Sequence, residues 1–433
     1  MPNMFTVNDD LVFNIQKYLF FLIPVSFIVG QAAVSIIFFS IILLSIFSLK
    51  KIVSTFKNYR NYDIVLLLFF IYLLFSSIFK DPQVLVDSIL LLRFLIFYFI
   101  TKYLVLNFSI KDFKIFLTII LFCSIFVIMD LLYEKYFGFD LFGFGKPLGN
   151  ELRLTGPFRN EPIPGSYLLN IGFYSFVSIY IFSSDAKTSL AKILIPLLII
   201  IFGLSIFITG ERISFIMFIF LISLIFIFYI KIRKIVIFSL IFILIGTFII
   251  STKNNYYQDR YLNFLKNVGI DKNFKKYHNN NFFDSQWGAH LLTAYEMFNN
   301  NNLTGIGVRQ FRVICSNQSY EKIKSKSANI RCSTHPHNLY FEILSETGLI
   351  GFSLFSIFLF LIFIDFIKIF KSSNKDYMYI LSVYTFCVFF MLFWPIRSTG
   401  SFFSNFNGSV YWLTISLFSG LLLKKDLIKK NNN

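Results

Sequence analysis

Residues 334–366 read THPHNLYFEILSETGLIGFSLFSIFLFLIFIDF, a polar opening that runs directly into a long apolar stretch. The apolar part, from Leu349 onwards, is long enough to cross a lipid bilayer as a helix. Before it, apolar residues recur at helical spacing between positions 339 and 344. This pattern predicts a helix that begins at Pro336 and ends at Gly348.

His337 would lie in the first turn of that helix, just outside the membrane. Unpaired backbone N–H groups and the positive end of the helix dipole favour a bound anion at such a place and keep an imidazole neutral. A neutral imidazole can accept a proton. His337 is therefore a candidate general base.

Composition places the chain among polytopic membrane proteins of all-α fold. Of its 433 residues, 56% are hydrophobic and 20% aromatic, far more than one soluble core needs. We interpret residues 1–433 as a single membrane domain with about twelve spans. The predicted spans are about 14–31, 33–49, 64–79, 84–100, 115–132, 166–182, 193–209, 213–230, 235–250, 348–367, 377–394 and 410–423.

The placement of charge predicts the orientation. The formal net charge of +17 would suit a nucleic-acid partner, but the basic residues concentrate in loops on one side of the predicted membrane, so we expect no nucleic acid. Positive loops face the cytoplasm. Both termini are therefore predicted to be cytoplasmic, and the short outer turns hold single charges: Lys80, Arg212 and Arg397.

Two long polar segments, 133–165 and 251–347, fall on the outer, periplasmic face in this topology. The second is a large helical loop between spans nine and ten, rich in Lys and Arg, and it contains every histidine of the chain. A basic pocket there would suit an anionic ligand. A solvated polar loop without a pocket is the alternative.

Cysteines in this large loop predict a disulfide. Cys315 and Cys332 would both face an oxidising compartment, and a bond between them would brace the approach to His335 and His337. A metal site is the rival interpretation, but the spacing matches no usual zinc pattern.

Ionisable residues in or beside the spans are costly and carry functional hypotheses. Arg212, at the outer end of a span, can hold phosphate oxygens with both arms of its guanidinium, or it can simply anchor the helix at the interface. Asp87 and Arg93 share one predicted span. They can pair with each other or serve the site.

Several of these stretches together resemble the O-antigen ligase family of bacterial surface polysaccharide assembly. The most specific is the run containing His337-Asn338, Tyr340-Phe341 and Glu346-Thr347-Gly348. Supporting matches are RLTGPFRNEPIPGSYL at 153–168, TGERISF at 209–215 and the glycine pair Gly305 and Gly307.

The resemblance implies a GT-C-like glycosyltransferase of the bacterial inner membrane, acting in lipopolysaccharide biosynthesis without metal or other cofactor. Its donor would be a glycan on undecaprenyl diphosphate, transferred on the periplasmic face. The family's essential histidine maps onto His337 and its mid-chain arginine onto Arg212. Where relatives carry an arginine early in the large loop, this chain has Gln286 to His290, QWGAH.

That departure moves the predicted diphosphate contact to other arginines. The candidates for holding diphosphate or glycan are Arg260, Arg309, Arg312, Arg153, Arg159, His290, His335 and Asn338, in addition to Arg212. Three functions stay open. A ligase would use lipid A-core as acceptor, and a Wzy-type O-antigen or exopolysaccharide polymerase would use another lipid-linked repeat. A transporter is disfavoured because we find no internal repeat.

Overall fold

The computed structural model describes residues 9–55, 58–144, 153–178, 190–229, 232–267, 282–321, 323–371 and 377–431. Within these ranges all regular secondary structure is helical, so the predicted all-α class is confirmed. In chain order the α-helices are α1 (Asp9–Phe21), α2 (Ile23–Val29), α3 (Gln31–Leu44), α4 (Leu49–Thr55), α5 (Asn61–Ile78), α6 (Pro82–Asn107), α7 (Ile110–Phe137), α8 (Pro164–Asn170), α9 (Leu190–Ile208), α10 (Arg212–Phe228), α11 (Arg233–Lys253), α12 (Asn255–Asn267), α13 (Gln286–Asn300), α14 (Phe311–Ile314), α15 (Leu339–Phe370), α16 (Tyr377–Leu392) and α17 (Asn405–Asn431). The short 3-10 helices are Ser45–Ser48, Gly156–Phe158, Gly172–Tyr174, Phe282–Asp284, Gln318–Tyr320 and Ala328–Ile330.

Seven helices in the described residues are long and apolar enough to cross a membrane. They are Gln31–Ser54, Asn61–Ile78, Pro82–Asn107, Ile110–Phe137, Arg233–Lys253, Leu339–Lys368 and Asn405–Ile428. The pair α1 and α2, bent by 46° where they meet, forms an eighth if it is one span. The chain is therefore a polytopic helical membrane protein.

The predicted count of twelve spans remains a prediction. Three further apolar helices, Ile193–Ile208, Arg212–Phe228 and Tyr377–Leu392, are shorter than a full span. The predicted span at 166–182 corresponds to α8 and a 3-10 turn at Gly172–Tyr174, and its last residues lie outside the described ranges.

The bundle is arranged around α17. In the most apolar 18-residue stretch of α17, 89% of the residues are buried. In the corresponding stretch of α11 only 17% are buried, so this helix faces outward. Aromatic rings fill the centre, where Trp412 of α17 stacks on Phe94 of α6 and Phe366 stacks on Phe386 of α16. Such ring pairs add to the stability that burial alone provides.

The described parts of the segments 138–163, 254–338 and 393–404 meet at one end of the bundle, which we call the loop-rich end. Gly348 interrupts α15 at this end with a φ of 66°, a conformation that glycine adopts without strain. The break leaves backbone N–H and C=O groups of α15 without partners in the helix, and the segment 302–307 forms hydrogen bonds with them. Ile306 N–H donates to Ser345 O at 2.9 Å, and Leu349 N–H donates to Asn302 O at 2.8 Å.

The glycine pair of the sequence motif lies in this segment. A Cβ atom on Gly305 would come within 2.5 Å of the Gly348 backbone nitrogen, so the two strands of chain can approach only because position 305 has no side chain. Gly307 N–H donates to Glu346 O at 2.9 Å. The motif therefore joins the large loop to the point where α15 breaks.

Four buried glutamates fasten the loop segments to the bundle through backbone N–H groups. Glu134 accepts from Thr155 and Gly156, Glu211 from Gly165 and Ser166, Glu342 from Phe402, and Glu346 from Arg309 and Phe311. A carboxylate that accepts such bonds is satisfied without leaving the bundle. The loop-rich end is therefore held rigidly against the helices.

Candidate active site

Three histidines meet at the loop-rich end. The ring of His337 lies 4.2 Å from that of His335 and 5.2 Å from that of His290, measured between centroids. Trp287 packs edge-on against His337 at 4.8 Å. Helix α13 supplies Trp287 and His290, and the segment before α15 supplies the other two. The QWGAH stretch that departs from the family pattern thus contributes directly to this cluster.

The prediction that His337 lies in the first turn of a helix is wrong. The helix begins at Leu339, and Asn338 precedes it and accepts bonds from Tyr340 N–H and Phe341 N–H through its side-chain oxygen. Asn338 is therefore the N-cap. His337 lies one residue before the cap with a φ of 60°, outside the helix. The reason is that an asparagine cap satisfies the first N–H groups better than Pro336 can.

His337 is nevertheless held as a neutral imidazole. Burial, strengthened by the neighbouring His335 and His290, lowers its pKa to about 3. Burial likewise lowers the pKa of His335 and of His290. The cause is therefore the low-dielectric surroundings and the other histidines, not the helix dipole inferred from the sequence. Nε2 of His337 lies 3.0 Å from Ser333 Oγ.

The segment before the histidines is closed by a disulfide. Cys315 and Cys332 are joined, with their Cα atoms 5.3 Å apart. Beside the bond, the buried Arg331 donates to Cys315 O at 3.0 Å and to Ser316 O at 3.1 Å. Cys315 also belongs to a small apolar core with Met297 and Phe311. The loop that leads to Ser333 and His337 is thus braced on both sides.

A second group at the loop-rich end contains three arginines. These are Arg153, Arg212 and Arg260. Burial lowers the pKa of Arg212, and the nearby positive charges of Arg260 and Arg153 lower it further. Arg260 is oriented by a bond from its Nε to Gly210 O at 2.6 Å. Arg153 donates to Pro162 O at 2.8 Å. Three separate segments of chain therefore bring positive charge to one place.

Glu211 lies next to Arg212 and bonds to the beginning of α8. Its carboxylate accepts from Gly165 N–H at 2.6 Å, from Ser166 N–H at 3.0 Å and from Ser214 Oγ–H at 2.8 Å. The side chain is buried, and burial raises its pKa, which Arg153 partly opposes. Glu211 thereby fixes α8 beside Arg212. The sequence motif TGERISF contains both residues, but only the fold shows that they act together.

The other predicted site residues are distributed differently. Arg309 pairs with Asp87 of α6 at 2.8 Å, so Asp87 is bonded to the loop rather than to Arg93 of its own helix. Arg93 donates to Asn405. Arg312 is near enough to His335 for its charge to contribute to the lowered pKa there. Arg159 is exposed on the turn after Gly156–Phe158.

The loop 393–404 connects the histidine cluster with the helix α8, which lies beside the three-arginine group. His335 Nε2 donates to Thr399 O at 2.8 Å, and Thr399 N–H donates to His337 O at 3.0 Å. Two residues away, Arg397 reaches Asn170 at the end of α8. Sequence reasoning had counted Arg397 only as an outer-turn charge. The signal that could have singled it out is its place in a turn otherwise without charged residues.

Comparison with known families agrees with this geometry. Residues 197–356 match the family model described as O-Antigen ligase, a range that contains Arg212, Arg260 and the His290, His335 and His337 cluster. The helical bundle and this match define a membrane enzyme of the ligase and polymerase type, glycosyltransferase-like in its chemistry. The match confirms the resemblance to the O-antigen ligase family that the motifs predicted. No curated protein matches it.

Proposed function

We propose that the chain is an O-antigen ligase-type glycosyltransferase. It takes a glycan from undecaprenyl diphosphate and joins it to a hydroxyl of lipid A-core, without a metal. His337 is the general base. The observation that carries the proposal is a neutral imidazole in the family-matched region, at the same end of the bundle as three clustered arginines.

The chemistry assigned to these groups balances without a cofactor. The acceptor oxygen forms a bond to the anomeric carbon of the glycan, and the bond from that carbon to the diphosphate oxygen breaks. His337 takes the proton of the acceptor hydroxyl. The departing diphosphate carries negative charge, which Arg212, Arg260 and Arg153 stabilise, so no acid is needed. A single displacement inverts the anomeric centre.

The membrane topology belongs to the same proposal. The fold is GT-C-like with twelve spans, residues 133–165 and 251–347 face the periplasm, and both termini face the cytoplasm of a bacterial inner membrane. The concentration of basic residues in loops on one side of the predicted membrane and the disulfide in the large loop support this orientation. Arg312 adjoins the histidine region, where its charge acts on His335, whereas Arg309 pairs with Asp87. Arg159 is exposed enough to meet a glycan.

Transfer by the purified protein is the primary test. The protein, reconstituted in lipid, is given an undecaprenyl diphosphate-linked glycan and a lipid A-core acceptor, and the product is followed on a gel. Transfer of the glycan with release of undecaprenyl diphosphate supports the proposal. Absence of transfer from any lipid diphosphate glycan, to either acceptor, contradicts it.

A Wzy-type polymerase would share the donor, the base and the arginines and differ in its acceptor. A lipopolysaccharide gel of a deletion strain separates the two. Loss of the whole ladder with retention of lipid-linked polymer indicates a ligase, whereas a single-repeat band on core indicates a polymerase.

A further inference from the structure

Arg397 is a buried cation with no anionic partner in the part of the chain that the structure describes. Its side chain belongs to a residue that is only 8% exposed. Nη1 meets the sulfur of Met391 at 3.2 Å, Nη2 donates to Asn170 Oδ1 at 3.4 Å, and Nε is buried without an acceptor. Among the residues that the structure describes, no carboxylate lies within salt-bridge distance of it.

Two other buried cations in the described chain, Arg331 and Lys102, are satisfied. Arg331, 9% exposed, donates to four backbone carbonyl oxygens. Lys102, 5% exposed, holds both carboxylate oxygens of Asp63 at 2.6 and 2.7 Å. Burying a charge is costly unless it is paired and hydrogen-bonded. Arg397 has neither the carboxylate that Lys102 holds nor the carbonyl oxygens that Arg331 holds.

The position of Arg397 indicates what completes it. Through Asn170 it touches the end of α8, whose beginning is held by Glu211 beside Arg212. Gly165 and Asn170 are about 7.5 Å apart along that helix. Two residues further on, Thr399 bonds to both His335 and His337. Arg397 thus lies between the three-arginine group and the histidine cluster.

We infer that Arg397 binds an anionic oxygen of the lipid diphosphate and that the empty protein keeps this cation unpaired at a cost to its own stability. The inference rests on the proposed function, because it assigns one more residue to the same donor. A diphosphate oxygen between Arg212 and Arg397 would be charge-neutralised from two sides. Planar guanidinium groups suit that task.

The inference predicts effects of opposite sign on stability and on binding. Arg397→Met keeps the length of the side chain and removes its charge. The empty variant should melt at the same temperature as the wild-type protein or higher, because an unpaired buried charge is gone. Its affinity for diphosphate should fall about 10- to 100-fold, the effect of losing one hydrogen bond to a charged group.

The experiment is thermal unfolding in lipid nanodiscs, titrated with undecaprenyl diphosphate or, in a parallel arm, undecaprenyl monophosphate. Arg233→Met, at the opposite end of the bundle, removes the same charge as a control and should keep the wild-type response to diphosphate. Arg397→Lys should recover part of the affinity, since a point charge replaces the fork. A larger loss for diphosphate than for monophosphate supports contact with the second phosphate.

Two results would overturn the inference. One is a diphosphate affinity of Arg397→Met equal to that of the wild-type protein. The other is a lower melting temperature of the empty variant with an undiminished shift on adding diphosphate, which indicates a structural tie between the loop and Asn170. If the Met variant cannot be purified, Arg397→Lys decides by the same titration. Failure of the wild-type protein to bind diphosphate contradicts the proposed function instead.

Discussion

His335 donates from Nε2 to the main-chain oxygen of Thr399 at 2.8 Å, while its Nδ1 lies 2.9 Å from Thr334 Oγ1. A carbonyl oxygen can only accept, so the proton is on Nε2 and both nitrogens of this ring are engaged. The ring of His337, two residues further on, makes one hydrogen bond within the described chain, between Nε2 and Ser333. The two histidines of one motif therefore differ in freedom to take a proton.

Replacement of His337 should separate chemistry from binding. His337→Ala removes the base, so transfer should fall on the order of 100- to 10,000-fold, while donor affinity stays close to that of the wild-type protein. The measurement is single-turnover transfer beside a separate donor-binding assay. His335→Gln, which removes an orienting ring, is the matched comparison and should cost less. Near-wild-type transfer by His337→Ala would move the base to His335 or His290.

The depressed pKa of His337 has a consequence for stability. The pKa is about 3 in the folded protein and 6.5 for an ordinary histidine, so the unfolded chain binds more protons between these values. The neutral imidazole's contribution to stability is therefore present above about pH 6.5 and lost as the pH falls toward 3. The melting temperature should drop on acidification through this window. His337→Gln should show a shallower drop, and equal slopes would contradict the low pKa.

Arginine substitutions should act on the donor itself. Arg212→Ala should weaken both donor binding and transfer, because a charge-assisted contact to phosphate is lost in the ground state and in the transition state. Arg212→Lys should recover only part of each. Donor affinity and single-turnover rate are measured for both variants, with Arg233→Ala as the control for loss of charge. Donor affinity unchanged in Arg212→Ala would make this arginine an interfacial anchor.

The disulfide should stabilise the site without taking part in the reaction. It closes a loop across a sequence separation of 17, and loss of a bond around a loop of this size costs roughly 3 kcal/mol. Cys332→Ser should therefore melt at a lower temperature and keep its donor affinity. Reducing agent should lower the melting temperature of the wild-type protein and leave Cys332→Ser unchanged. Free thiols at both positions in protein isolated from cells would contradict the assignment.

Labelling from either side of the membrane tests the orientation. Lys234 and Gln286 are both exposed. Lys234 lies at the beginning of α11, and Gln286 lies at the beginning of α13, after α11 and α12. In a background with Cys123 and Cys387, both buried, replaced by alanine, Gln286→Cys should react with an impermeant reagent from the periplasm. Lys234→Cys should react only after permeabilisation. The same labelling pattern for both would refute the proposed topology.

Sequence predicted the parts of this protein that depend on local pattern. Apolar periodicity gave the helices, because a bilayer demands long runs such as the one from Leu349. The break at Gly348 followed from the residue itself, since glycine tolerates a positive φ. The histidines, and Arg212 with Arg260, were named because their chemistry suits the reaction. None of these inferences needed to know which segments touch.

What could not be predicted depends on contacts between distant residues. Asp87 bonds to Arg309, 222 positions away, whereas the sequence left open a pair with Arg93 of its own helix. The start of α15 was misplaced by three residues because Asn338 competes with Pro336 as the helix signal. Arg397 was overlooked because nothing in its neighbours along the chain reveals that it is buried without an anion. Desolvation, which decides the state of both Arg397 and His337, is a property of the fold.

The four glutamates that fasten the loop-rich end accept mainly from backbone amides, although Glu342 also accepts from the hydroxyl of Ser401. Any residue other than proline offers the same N–H group, so most of these attachments do not depend on which amino acid the loop carries. Gly165 is an exception, because a Cβ atom there would come within 2.9 Å of Glu211 Oε1. Under the proposed function, side chains of these loops can change while the backbone bonds keep the loops attached to the bundle. Acceptor preference then changes at little cost in folding.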